Sequence, residues 1–212
     1  RQPLELKSLV RIQVGQYCKL TFCEASMKVG LISDTHVPSA APEPPLEIIK
    51  AFDGVDLILH AGDIYAPSCL DWLEKIAPVK AVEYGSLDHF DGDPRVTDRT
   101  VLDLGGHKIG MVHDLVLGTL TVELLPGVLT AQGLKQGVVS DMVEKFFGQA
   151  ADIVVFGHTH HSLIEEHDGV LLVNPGSPSL PKQMRRLGQV GILDLWPGGR
   201  SAKVLDLEQF TS

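Results

Sequence analysis

The chain is poor in cysteine, short of basic residues and without a long apolar run, and each shortage excludes a class of protein. Cysteine occurs only three times in 212 residues, at Cys18, Cys23 and Cys69. A disulfide-stapled secreted domain needs a denser, even set, so the thiols read as reduced and the protein as cytoplasmic. Cys18 and Cys23 fall short of a full zinc donor set and read as packing residues. Lys and Arg number 18 against 27 Asp and Glu, a formal charge of -9. Tracking a phosphate backbone requires a basic face that displaces counterions, so long nucleic acid is excluded as the main partner. No apolar run reaches the ~18 residues of a membrane-spanning helix, so no membrane association is expected. Residues 1–26 also lack the uninterrupted apolar core of a secretory signal. What remains is a folded chain: 44% of residues are hydrophobic, 21% are charged, and nine are histidines.

The length suits one main domain. Residues 1–26 read as an N-terminal extension and 27–212 as the domain. Within the extension, 9–22 alternates well enough for a strand or two. Either Met27 is a natural start with an extension ahead of it, or the extra strands cover a sheet edge. From residue 28 the pattern is rhythmic. Strands are expected at 29–33, 55–60 and 79–84. A helix over 42–52 would turn Leu46, Ile49 and Phe52 inward, and a second over 68–76, capped by Ser68, would bury Leu70, Leu73 and Ile76. Strands alternating with helices imply parallel pairing with right-handed crossovers. The second half changes to hairpins, around Gly105-Gly106, Asp168-Gly169 and Pro197-Gly198-Gly199. A helix over 140–150, with Met142 or Val143, Phe146 and Phe147 inward, feeds a strand at 152–156. Residues 115–137 read as an irregular insertion able to act as a flap. The fold class is therefore α/β, with more than one sheet.

The chemistry lies where apolar strands end. Asp34-Thr35-His36, Gly62-Asp63, Gly85-Ser86-Leu87-Asp88, His113-Asp114, Gly157-His158-Thr159-His160 and Asn174-Pro175-Gly176-Ser177 each follow such a run. Ligand crevices of open α/β sheets lie beyond the carboxyl ends of the strands, so these residues can converge on one rim. Residues two apart in extended chain point to the same side, as Asp34 with His36 and His158 with His160 would. Mixed carboxylate and imidazole suits Mn, Fe, Co, Ni or Zn. One bridging carboxylate with donors on either side suits two ions ~3.5–4 Å apart. A lone histidine is ordinary, and His60, His89, His107, His161 and His167 read so. The ordered recurrence of Asp-x-His, Gly-Asp and Gly-His-x-His is not ordinary.

Those motifs, quoted as LISDTH, HAGD, VVFGHTH and NPGS, resemble the calcineurin-like metallophosphoesterases over residues 27–207. The similarity is to their small bacterial and archaeal phosphodiesterase branch, itself similar to the retromer subunit Vps29. The resemblance implies a four-layer α/β/β/α sandwich. It implies that Asp34, His36 and His160 hold one metal, that His113 and His158 hold a second, and that Asp63 bridges them. Asn174 would shape the floor of the site. Two divalent ions are expected, manganese first, with Ni, Fe, Co or Zn as alternatives. Hydrolysis of a small phosphodiester by metal-bound hydroxide follows from the same resemblance. Ser86 stands where the family has an asparagine ligand of the second metal, which predicts weaker binding there. Asp114 replaces a family glycine, either as a substitute ligand or as a solvated turn acid. Leu87 occupies the place of a protonating histidine of some members, which leaves that step to Asp88 or a metal-bound water. Lys182, Arg185 and Arg186 form a basic cluster that either contacts the substrate phosphate or is a solvated face. The alternative function is a catalytically weak or inactive scaffold for protein–protein interaction on the same fold, which the Ser86 departure would favour. Homo-oligomers could form by strand pairing through residues 1–26. The metallo-β-lactamase and amidohydrolase histidine patterns are both missing.

Overall fold

The computed structural model describes residues 26–83, 87–118, 122–179 and 187–211. Cys18, Cys23 and the strands expected at 9–22 lie outside them. Three largely apolar runs and one two-residue segment form parallel strands: β1 (Met27–Ile32), β2 (Leu57–His60), β3 (Val79–Val82) and the short β4 (Val96–Thr97). The register sets Val29 against Leu57 and Ile58 against Val79. A single residue, Asp98, separates β4 from β5 (Arg99–Leu104), where the chain enters a second sheet. That sheet adds β6 (His107–Val112), β7 (Ile153–Val155), β8 (Leu163–His167) and β9 (Val170–Asn174) in the order β5-β6-β7-β9-β8. Strands β6, β7 and β9 are parallel, flanked by antiparallel β5 and β8. The chain then returns to the first sheet as β10 (Gln189–Trp196) and β11 (Gly199–Asp206), completing the order β11-β10-β1-β2-β3-β4.

Alternation along the strands sorts the apolar residues into three layers. Val29, Leu31 and Leu59 of the first sheet meet Ile109, Met111, Ile153 and Val155 of the second. On the outer side of the first sheet, Ile32 and Ile58 pack with residues of α1 (Glu47–Ala51) and α2 (Pro67–Leu73). On the outer side of the second, Val112, Val154 and Leu172 pack with α3 (Val128–Ala131) and α4 (Val138–Phe147). The result is the α/β/β/α sandwich. Both sheets accept a phenylalanine ring where a strand has glycine. A Cβ at Gly30 would lie 3.1 Å from the Phe52 ring, and one at Gly110 would lie 2.8 Å from Phe147.

Four local expectations are corrected. The first helix is Glu47–Ala51, not 42–52, because Pro42, Pro44 and Pro45 keep the preceding residues out of helical geometry. Its inward residues are Ile48, Ala51 and Phe52, while Leu46 and Ile49 are 67% and 50% exposed. The second helix starts with Pro67 in its first turn after Ala66, so Ser68 is not its cap. Leu70 and Leu73 are buried as expected. The helix expected at 140–150 is Val138–Phe147, ended by Gly148 at φ 74. Its start has no cap of its own, since Gly137 precedes it. Val139 N–H instead donates to Asp168 Oδ2 at 2.8 Å, from the β8–β9 turn. Backbone N–H groups of Gly137, Val139 and Ser140 hold the Asp168 carboxyl below its ordinary range. Finally, the segment 115–137 is not a free flap in its described part. Leu115, Leu117, Leu124 and Leu129 are buried against the second sheet. Among the described residues, no helix is long and apolar enough to cross a membrane.

Candidate metal centre

The donors singled out in the sequence sit in loops at the carboxyl ends of four strands. Asp34 and His36 follow β1, Asp63 follows β2, His113 follows β6, and His158 and His160 follow β7. Five of them hold left-handed backbone: Asp34 (φ 53), His36 (50), Asp63 (54), His158 (71) and His160 (56). Such geometry costs an L-residue roughly 1 kcal/mol or more and persists only where the surroundings enforce it. Here bonds between loops enforce it. Asp34 N–H donates to Gly62 O at 2.8 Å, His36 N–H to Asp63 O at 2.9 Å, and Gly157 N–H to His113 O at 2.9 Å. The motif glycines make room for donors. A Cβ at Gly62 would lie 2.5 Å from His113 Nδ1, and one at Gly157 would lie 2.8 Å from Asp34 Oδ2.

One donor atom from each of Asp34, His36, Asp63 and His160 lies within 4.8 Å of the others. His36 Nε2 and His160 Nε2 approach to 3.1 Å. His160 Nε2 is 3.5 Å from Asp34 Oδ1, and His36 Nε2 is 3.4 Å from Asp63 Oδ2. The other Asp63 oxygen, Oδ1, is 3.7 Å from His113 Nε2. The His113 ring meets that of His158 edge-on, with centroids 5.3 Å apart. His113 Nδ1–H donates to Ala61 O at 2.9 Å, which leaves Nε2 as the ring nitrogen facing Asp63. Asp34 is fully buried. Its Oδ1 accepts His158 N–H at 3.0 Å, while Oδ2 has no hydrogen-bond partner among the described residues. Burial pushes the Asp34 carboxyl up to about 6 and lowers His36 from the ordinary imidazole value, against the pull of Asp63 and Asp34. A buried carboxylate with an orphaned oxygen is costly unless a cation meets it. Two carboxylates beside two imidazoles fit a divalent transition metal.

Residues around the donors explain their placement. Glu83, which the motif reading passes over, is 5% exposed. Its Oε1 accepts Asp63 N–H at 3.1 Å and its Oε2 accepts Ile64 N–H at 2.8 Å. The available signal was an acid directly after an apolar parallel strand. Asn174 braces the Gly157–His160 loop, its Nδ2 donating to Gly157 O at 2.8 Å and Thr159 Oγ1 at 3.2 Å. Ser33 Oγ donates to Gly176 O, and Ser177 Oγ to Asp34 O, each at 2.8 Å. His60 is a buried core histidine, held to about 3 by burial. Its Nδ1 accepts Gly62 N–H at 3.2 Å and its Nε2–H donates to Thr35 Oγ1 at 3.0 Å. Burial likewise pushes the Cys69 thiol up to about 11. His107 bonds Gly199 O, His161 bonds Thr159 O, and His167 pairs with Glu165. Asp114 is half-buried and not among the grouped donors. Asp88 lies in a 3-10 turn, Leu87–Phe90, with its side chain outside the description. Ser86, Lys182, Arg185 and Arg186 lie outside the described residues.

Residues 27–196 match the calcineurin-like phosphoesterase superfamily domain. A probable metallophosphoesterase of Methanothermobacter thermautotrophicus is 36% identical over 160 residues, covering 74% of this chain and 80% of that protein. A phosphodiesterase of Methanocaldococcus jannaschii is 26% identical over 168 residues, 79% of this chain and 93% of its own. The structure of vacuolar protein sorting 29 from Cryptosporidium parvum aligns with a TM-score of 0.59 at 20% identity, over 85% of this chain and 97% of that one, a likeness of fold alone. Because the matched segment runs through every donor loop from Asp34 to Asn174, the chain belongs to the calcineurin-like phosphoesterase superfamily.

Proposed function

We propose that the protein is a phosphodiesterase that cleaves a small phosphodiester at a site for two divalent ions, manganese first among them. The observation that carries this reading is the division of the Asp63 carboxylate, with Oδ2 toward His36 and Oδ1 toward His113. Asp34, His36, His160 and Asp63 would hold one ion, and Asp63, His113 and His158 the other. Ser86 would give the second ion a weaker donor than an amide oxygen. When bound, the ions supply positive charge to the phosphoryl oxygens and a water acidic enough to attack near neutral pH. The Ala61 carbonyl keeps His113 in the tautomer that offers Nε2. Asp88 would hand a proton to the leaving oxygen, and Lys182 and Arg185 would meet the substrate phosphate. The net charge of -9 does not oppose an anionic substrate, because the charge it meets comes from the ions. The phosphodiesterase named among the relatives supports a diester rather than a monoester.

The test is hydrolysis of bis-p-nitrophenyl phosphate with added manganese. Turnover abolished by a chelator is expected. In Asp63→Asn, kcat/KM should fall by more than the ~10–100-fold loss typical of a group that merely orients a ligand. A folded protein inert with Mn, Ni, Fe, Co and Zn would overturn the reading and leave the scaffold. The clustering of Asp34, His36, Asp63 and His160 favours the enzyme.

A further inference from the structure

The loop after β2 carries a residue that the metal centre does not account for. Tyr65 lies two positions beyond Asp63 with its backbone at φ 75. For a bulky aromatic that left-handed geometry is an outlier, and such outliers gather where a site needs a side chain aimed. The Tyr65 side chain is nevertheless 44% exposed. Its ring contact is with a candidate metal donor. The Tyr65 and His36 rings meet at 86°, centroids 4.8 Å apart. An aromatic surface is thus held partly open to solvent beside the donors. No cation lies in contact with the ring among the described residues, and its neighbours Asp63 and Glu83 are acids that would repel a second anionic group. What the ring face offers there, in place of a second anionic contact, is a surface for stacking a flat π-system.

We propose that Tyr65 is a specificity-determining residue, its ring being the platform for a planar aromatic group on the substrate. The inference rests on the phosphoesterase reading and narrows its substrate class from any small phosphodiester to one bearing an aromatic ring. The ring belongs either to an aryl ester or to a nucleoside, and the two differ in how far it lies from phosphorus.

Binding separates these cases without turnover. Manganese-loaded wild type, Tyr65→Phe and Tyr65→Ala are titrated with two pairs of phosphates, phenyl against methyl phosphate and uridine 5′-monophosphate against ribose 5-phosphate. In wild type and Tyr65→Phe, the aromatic member of one pair should bind about tenfold tighter than its ring-free counterpart, the size of one stacking contact. In Tyr65→Ala that ratio should fall to about one, with the ring-free esters and manganese bound as before. Preference in the phenyl pair identifies an aryl ester, and preference in the uridine pair a nucleoside. The inference is overturned if wild type shows no preference in either pair, or if Tyr65→Ala keeps it. It is also overturned if Tyr65→Ala weakens manganese or all four esters alike, which would make the ring a prop for His36. Wild type that binds manganese but none of the four esters would sink the phosphoesterase reading itself, and this inference with it.

Discussion

Asp63 is aimed by its own backbone, and that backbone is held by Glu83. Both oxygens of the buried Glu83 carboxylate accept N–H groups, those of Asp63 and Ile64, in a stretch that would otherwise leave them unpaired and the loop free to relax from its left-handed turn. Glu83→Ala should therefore weaken manganese binding by about 10- to 100-fold, the usual cost of losing a group that orients a ligand. Glu83→Gln keeps an acceptor and should lose less. Calorimetric titration, with circular dichroism to verify folding, measures both, and unchanged affinity in Glu83→Ala would remove it as a positioning residue. The contrast with Asp34, His36 and His160 explains what a sequence can reveal at this scale. Those donors stand at fixed spacings after apolar strands, and the pattern of carboxylate, imidazole and glycine points to them directly. Glu83 acts through main-chain N–H groups twenty positions away, and no spacing rule announces that. The strained turn of Tyr65 is equally silent in sequence.

At the scale of elements, turns were easier to foresee than helices. The hairpins at 105–106, 168–169 and 197–199 carry residues that tolerate positive φ, and their strands pair across them as expected. The helices were foreseen less well for identifiable reasons. Three prolines shorten α1 and turn a different face inward, and α4 takes its N-terminal acceptor from Asp168 on another hairpin. The inward faces of Leu70, Leu73 and Phe147 were legible, but not the seats that receive Phe52 and Phe147, because Gly30 and Gly110 look like interruptions of their strands. Gly110→Ala should overpack against Phe147 and destabilise the fold by about 1–3 kcal/mol, read from the denaturant midpoint. Phe147→Leu added to it should recover part of the loss, a coupling expected of neighbours in contact. Additive losses in the double variant would mean that the strand, rather than the ring, resents the new methyl group.

For the molecule as a whole, two buried groups make stability depend on pH in opposite senses. His60 has a folded value of about 3, below an ordinary imidazole, so the unfolded chain binds the extra proton between. Its contribution is complete above about pH 6.5 and is lost as pH falls toward 3. His36 is shifted in the same direction. Asp34 is raised to about 6, so its contribution is complete below 3.8 and is lost as pH rises through 6. In chelator, the stability of wild type should therefore rise with pH less steeply between pH 4 and 6 than that of Asp34→Asn. The gap should be roughly 1 kcal/mol per pH unit, the linkage of one proton. Urea denaturation at several pH values measures it, and parallel curves would show that Asp34 ionises freely in the metal-free fold.

The chain crosses between its sheets at Asp98 and again after Asn174, and the second crossing is pinned to the end of β1. Ser33 grips Gly176 while Ser177 grips Asp34, a reciprocal clasp beside the donors. Asp34, His36 and Asp63 belong to loops of the first sheet, and His160 to a loop of the second. An ion held by all four would thus act as a rivet through the sandwich. The apolar layer resists separation of the sheets but has no directional grip against their sliding, whereas coordination bonds do. Loading the site would stiffen this end of the molecule against shear, and stripping it would leave that load to the serine clasp and to the Ala61–His113 and Asp34–His158 hydrogen bonds.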